Sequence, residues 1–210
     1  MKNMESLYMG KPLYNAVLEN EDDGIMRISL VSSPAVQVNF ITLSQQEELR
    51  MYAVENEEEK VLLGVVMVAD TPIYRIGMSG MEYYINFTKD TIKKMAEKML
   101  LDGNTSKVNL EHLDNTDVNG VNLVEIFIKD VDKGISPIGF ENVPDGSLFA
   151  KYKVHNDELW NRVKAGEFKG FSLEGYFNVT EVEMSAEQTE IELYTEILDL
   201  LNKINKRTRI

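Results

Sequence analysis

Seven or more short stretches of this chain read as strands, most of them alternating apolar and polar residues, and helices do not separate them one by one. The runs include IMRISLV, VLLGVVMVA, TPIYRIG, MEYYINF, VNLVEIFIKDV, SLFAKYKVH and FKGFSLEGYFNVTEVEM. Period-two alternation marks strands. A doubly wound parallel sheet would need a helix after almost every strand, and only three helical segments stand out. In the first, Thr88 is the expected N-cap, Ile92, Met95, Ala96, Met99 and Leu100 fall on one face, and Gly103 ends it. In the second, Asn156 caps DELWNRVKAG, which stops at Gly166. The third opens on a capping box, Ser185 with Gln188, and carries Ile191, Tyr194, Leu198 and Leu201 at 3/4 spacing. The pattern predicts an α+β fold: a core built on an antiparallel sheet or β-barrel, with flanking helices and a C-terminal amphipathic helix.

With 210 residues the chain can bury one substantial core with an appendage. The acidic stretch between Ser44 and Lys60 reads as a linker. The expected organisation is therefore an N-terminal strand segment (1–43) packing on the core, a linker (44–60), the core (61–183) and a C-terminal helix (184–210). A net charge of −13 argues against a nucleic-acid surface, which needs clustered Lys and Arg. No apolar run approaches the roughly 20 residues that span a bilayer, and MKNMESLYMG lacks the apolar middle of a signal peptide. The absence of Cys excludes disulfides and thiolate metal sites and makes a reducing cytoplasm the default compartment. With only His112 and His155 available, no metal or cofactor is expected. Asp114, Asp117 and Asn119 lie in DNTDVNG, which lacks the terminal glutamate of a calcium loop and reads as a polar turn.

A hydroxyl nucleophile needs a base within hydrogen-bond reach and a group to orient that base. His112 lies at the end of the strand-like NLEHLD, just before a turn, an address from which side chains project into clefts. His155 sits at a strand-to-helix junction, where an exposed place beside the cap is expected. Ser172 stands in GEFKGFSLEGYF, between Gly170 and Gly175, where backbone can approach closely as a substrate strand or oxyanion pocket requires. Glu174, two residues on, shares a strand face with Ser172. Spacing alone leaves two readings open: a bulged strand with a surface carboxylate, or a nucleophile beside its acid.

From about Val61 to Phe177 the chain resembles the phage prohead (head-maturation) proteases, most closely the XkdF-like serine protease group. The resemblance is carried by TPIYRIG, YYINFTKDTIKKMAEKML, NLEH, VEIFIKD and LFAKYKVHNDELWNRVKAGEFKGFSLEGYF, in that order. It implies a fold similar to the herpesvirus assembly protease. It also implies that His112 is the general base, that Ser172 is the nucleophile of an acyl transfer, and that backbone near Gly170 and Gly175 serves the oxyanion or substrate strand. The better-known prohead proteases take a glutamate from a strand reading E-[IV]-S-L-V-x-x-P-A, downstream of the serine. Here the matching RISLVSSPA lies upstream, at 27–35, which implies a circular permutation. Arg27 stands where that glutamate would fall, and a guanidinium accepts no proton. Glu174 is then the first candidate for the orienting acid, ahead of Asp23, Glu111 and Asp114. A herpesvirus-like second histidine would have to be His155, which precedes the nucleophile.

The activity implied is a serine endopeptidase that trims phage scaffold protein, the major capsid protein or itself, inside the procapsid or virion in the bacterial host cytoplasm. The alternative is a catalytically inactive protease-like fold kept as a structural or scaffold-binding component. A small-ester hydrolase would use the same residues, but neither G-x-S-x-G nor an HGGG partner is present. The C-terminal stripe with its basic end KRTR suits self-association or scaffold binding; no nucleic-acid or membrane partner is expected.

Overall fold

The computed structural model describes residues 11–34, 41–42, 59–77 and 79–182. The stretch VQVNF, where Val36, Val38 and Phe40 alternate as in a strand, most of the acidic linker and the expected C-terminal helix lie outside the described residues. The strands are β1 (Leu13–Val17), β2 (Gly24–Val31), β3 (Ile41–Thr42), β4 (Val61–Met67), β5 (Ile73–Ile76), β6 (Glu82–Asn86), β7 (Val108–Leu110), β8 (Val121–Ile128), β9 (Leu148–Val154), β10 (Gly170–Tyr176) and β11 (Asn178–Glu181). Two helices, α1 (Lys89–Leu101) and α2 (Asp157–Lys164), complete the mixed α+β architecture.

The strands form three sheets, ordered β11-β1-β6-β5, β10-β2-β7 and β3-β4-β9-β8. The expected antiparallel barrel is corrected in two respects. The pairs β1–β6 and β2–β7 run parallel, and the described strands do not close into a barrel. The reason lies in the C-terminal strand, expected as one unbroken run through FSLEGYFNVTEV. A bulge between Glu174 and Gly175 bends β10, the strand breaks at Phe177, and the chain resumes as β11 in another sheet, paired with β1. β10 lies against β4 but shares no ladder with it, so the sheets meet by packing rather than by hydrogen bonds.

All seven residues of β4 are buried, which explains why VLLGVVM lacks polar alternation. One face, with Leu62 and Val66, joins the main core. There it meets Ile92, Met95, Ala96 and Met99 of α1 and Leu159, Trp160 and Val163 of α2. The other face, with Leu63 and Val65, meets Phe140, Val143 and Phe149 in a second cluster. Both helices start as predicted: the Thr88 side chain accepts from Thr91 N–H, and the Asn156 side chain from Leu159 N–H. Burying a side chain such as Ile92 is worth about 1.5–3 kcal/mol, so the apolar stripe of α1 fixes that helix on the sheets. Lys129 is a buried exception in this apolar interior. Its Nζ donates to the carbonyls of Phe140, Glu141 and Val143 at 3.1, 3.0 and 2.6 Å, so the ammonium ties down the loop after β8.

Candidate active site

The three-stranded sheet carries a row of polar side chains on one face. Ser172 of β10 is in register with Ser29 of β2, and Ser29 is in register with Asn109 of β7. Registered residues point the same way with Cβ atoms about 5 Å apart. Glu174, two residues along β10, joins that face. Ser29 and Asn109 are fully buried, at 0% and 1% exposure. Buried polar atoms need partners, and these two find each other and Glu174. Ser29 Oγ lies 2.8 Å from Glu174 Oε1, and Asn109 Nδ2 donates to the same oxygen at 2.7 Å; Ser29 Oγ also contacts Asn109 Oδ1.

His112 enters from the turn after β7. The strand expected over 108–114 stops at Leu110 because Glu111 and His112 adopt left-handed backbone, with φ +54° and +57°. Two such residues in succession are strained by about 1–3 kcal/mol each, and the surroundings hold them in place. Glu111 N–H donates to the Leu30 carbonyl at 3.0 Å, and Glu111 Oε1 accepts from Ser32 N–H at 2.7 Å. Thr116 Oγ1 bonds the carbonyl of Leu110 at 2.9 Å and accepts from its N–H at 3.2 Å. The turn aims the imidazole at the polar row. His112 Nδ1 is 2.9 Å from Glu174 Oε1 and 2.9 Å from Ser29 Oγ.

That geometry selects a tautomer. An ionised carboxylate only accepts, so Nδ1 carries the proton and donates it to Glu174, which leaves Nε2 with its lone pair. Burial pushes the Glu174 carboxyl up, but hydrogen bonds from Asn109, Ser29 and His112 outweigh it and hold the group below the ordinary carboxylate range. Its second oxygen faces Arg27, whose Nε is 3.5 Å away; Arg27 Nη1 reaches Asp117 at 3.1 Å.

The structure thus brings His112 and Glu174 into contact and sets Ser172 beside Ser29, on the face these groups occupy. Among the described residues Ser172 makes no side-chain hydrogen bond. It lines a cleft of about 830 Å³ bounded by β10, β5 and β6. The other acids go elsewhere. Asp23 accepts from the backbone of Glu19 and Asn20 and from Asn178, Glu111 is bound to Ser32, and Asp114 is exposed. His155 is exposed, its backbone N–H on the Gly120 carbonyl. Gly170 and Gly175 pair with Val31 and Ile25 of β2. A Cβ at Gly175 would fall 2.0 Å from the Gly24 carbonyl oxygen, so this close approach serves the neighbouring strand. Ser29 and Asn109 are not singled out by sequence. The available signal was a small uncharged polar residue inside each of two otherwise largely apolar runs, IMRISLV and VNL.

Among the described residues, no three His, Asp or Glu side chains stand together as metal ligands would, and no helix is long and apolar enough to cross a membrane. No curated protein and no solved structure matches the chain. A family model matches residues 48–181, a span that contains Asn109, His112, Ser172 and Glu174 and leaves out β2 with Arg27 and Ser29. That match covers more than half of the chain, which therefore belongs to the family described as "Putative phage serine protease XkdF".

Proposed function

We propose that the chain is a serine endopeptidase of phage head maturation, with Ser172 as nucleophile, His112 as general base and Glu174 as the acid that orients the imidazole. The observation that carries this reading is the contact of His112 Nδ1 with Glu174, made on the sheet face where Ser172 borders a cleft. Glu174 holds the Nδ1 proton, so Nε2 is the atom that takes the Ser172 proton. The alkoxide then attacks a peptide carbonyl, His112 returns the proton to the departing amine, and water hydrolyses the acyl-enzyme by the same route. Backbone N–H groups of β10 near Gly170 and Gly175 are proposed as the donors for the oxyanion.

A peptide suits the cleft better than a small ester. β10 ends its sheet and β5 ends its own, so an extended chain can lie between two strand edges and pair with backbone. The substrates proposed are scaffold protein, the major capsid protein or the chain itself, cut within the procapsid. The herpesvirus-protease-like fold and the permutation are proposed with them. β2, which carries RISLV from the N-terminal side of the matched segment, seats between β10 and β7, and a permuted strand would occupy such a place.

Coexpression with the scaffold and capsid proteins of the same phage tests the proposal. Wild type should yield shortened products by intact mass, and Ser172→Ala or His112→Ala should leave every chain full-length. Equal product masses in all three would leave a non-catalytic assembly component.

A further inference from the structure

The cleft beside Ser172 contains a cation that no acid in the described part of the molecule answers. In β5 the alternation puts Ile73 and Arg75 on the inner side and Tyr74 and Ile76 outside; both inner residues line the cleft. Arg75 is half-buried, and its Nη1 donates to the Tyr74 carbonyl at 2.9 Å. Among the described residues no carboxylate pairs with it. In a chain with 35 acidic and 22 basic residues, an arginine that finds no acid among the described residues stands out. The cleft's other charged lining residue, Glu174, has its carboxylate engaged by His112, Ser29, Asn109 and Arg27. The remaining wall is mostly apolar, with Met26, Met81 and Val179 exposed toward it. Burial among these groups lowers the Arg75 pKa, the mark of a guanidinium partly stripped of water.

We infer that Arg75 is a specificity residue that binds the carboxylate of an Asp or Glu side chain in a peptide lying along the cleft, with apolar side chains flanking that acid. A guanidinium presents parallel N–H donors that match a carboxylate in two-point contact, and in a partly dehydrated wall such a pair is stronger than in water. With Nη1 turned to the Tyr74 carbonyl, Nε and Nη2, which have no partner among the described residues, remain for the ligand. A free inorganic anion would use the charge but none of the apolar wall or the strand edges, so an acidic peptide fits the whole cleft. The inference rests on the peptidase reading for the cleavage step at Ser172, whereas binding itself requires no chemistry there.

The test uses the full chain and one mixed library of peptides from a digested proteome, read by mass spectrometry in two arms. In the cleavage arm, wild type should cut peptides with an acid at one fixed distance from the scissile bond. It should favour Glu over Gln there by about ten- to hundredfold in kcat/KM, the range expected for a hydrogen bond to a charged group. Arg75→Gln should erase that preference while still cutting, and Arg75→Glu should turn it toward Lys. In the binding arm, immobilised Ser172→Ala should enrich acidic peptides, and the double variant with Arg75→Gln should not. If nothing is cleaved but acidic peptides are retained through Arg75, the peptidase reading fails and this inference stands. If cleavage occurs and the same preference persists in Arg75→Gln, or if neither arm selects an acid, the inference is overturned.

Discussion

Glu174 lies in register with Arg27 across the β10–β2 ladder, and its Oε2 is 3.5 Å from Arg27 Nε. The prohead-protease resemblance expects an acid at position 27, and the acid of this site stands directly across from it. An anion beside the imidazole is thus supplied from the neighbouring strand, and the arginine holds the oxygen of Glu174 that His112 does not use.

Glu174→Gln keeps the shape of the side chain and removes its charge. An amide offers Nδ1 either a carbonyl or an NH₂ group, so the tautomer with a basic Nε2 is no longer enforced. Turnover should fall by roughly two to four powers of ten with KM little changed, as measured by steady-state cleavage of a peptide that wild type cuts.

The same substitution changes how stability depends on pH. The folded-state pKa of Glu174 is lowered, so its ionised form contributes stability that is fully present above the unfolded value of about 4.3. That contribution is lost as pH falls through the lower folded value. In denaturant titrations from neutral to acid pH, the gap between wild type and Glu174→Gln should hold steady above the ordinary carboxylate range and close below it.

Ser29→Ala separates the two serines that face each other across the ladder. Ser29 touches His112 but is sealed from solvent, whereas Ser172 borders the cleft. Ser29 is therefore a positioning residue. Its loss should cost about 1–3 kcal/mol of stability through unmet buried partners and reduce kcat by roughly tenfold without abolishing it. Complete loss of cleavage in a variant that still folds by circular dichroism would move the nucleophile to Ser29.

Gly175→Ala drives a methyl group into the Gly24 carbonyl. Backbone must shift on both strands of the ladder that carries Ser29 and Glu174. The expected destabilisation is about 3 kcal/mol, a drop of roughly 6–12 °C in melting temperature for a chain of this size, measurable by calorimetry.

Legibility in the sequence differs from element to element. The helices were readable because Thr88 and Asn156 cap them and their apolar stripes repeat every turn. The β5–β6 hairpin was readable from alternation on both sides of Gly80, whose φ is +80°. The break at Phe177 was hidden because FSLEGYF and NVTE alternate alike, and only tertiary pairing assigns them to β2 and β1. At the site, the placement of Glu174 on the face of Ser172 was legible from their two-residue spacing. The buried pair Ser29 and Asn109 was not, because their role depends on a parallel β2–β7 register that no local pattern encodes. Nor was the left-handed turn at Glu111 and His112, which non-local bonds to Leu30 and Ser32 hold in place.

Ser172 is the attacking hydroxyl in the proposed mechanism, and covalent capture tests that assignment most directly. The full chain is treated with a fluorophosphonate and the modified residue is located by tandem mass spectrometry. A single adduct on Ser172 is predicted in wild type and in Ser29→Ala, and no adduct in His112→Ala or Ser172→Ala. An adduct on Ser29, or labelling of Ser172 that survives the loss of His112, would contradict it.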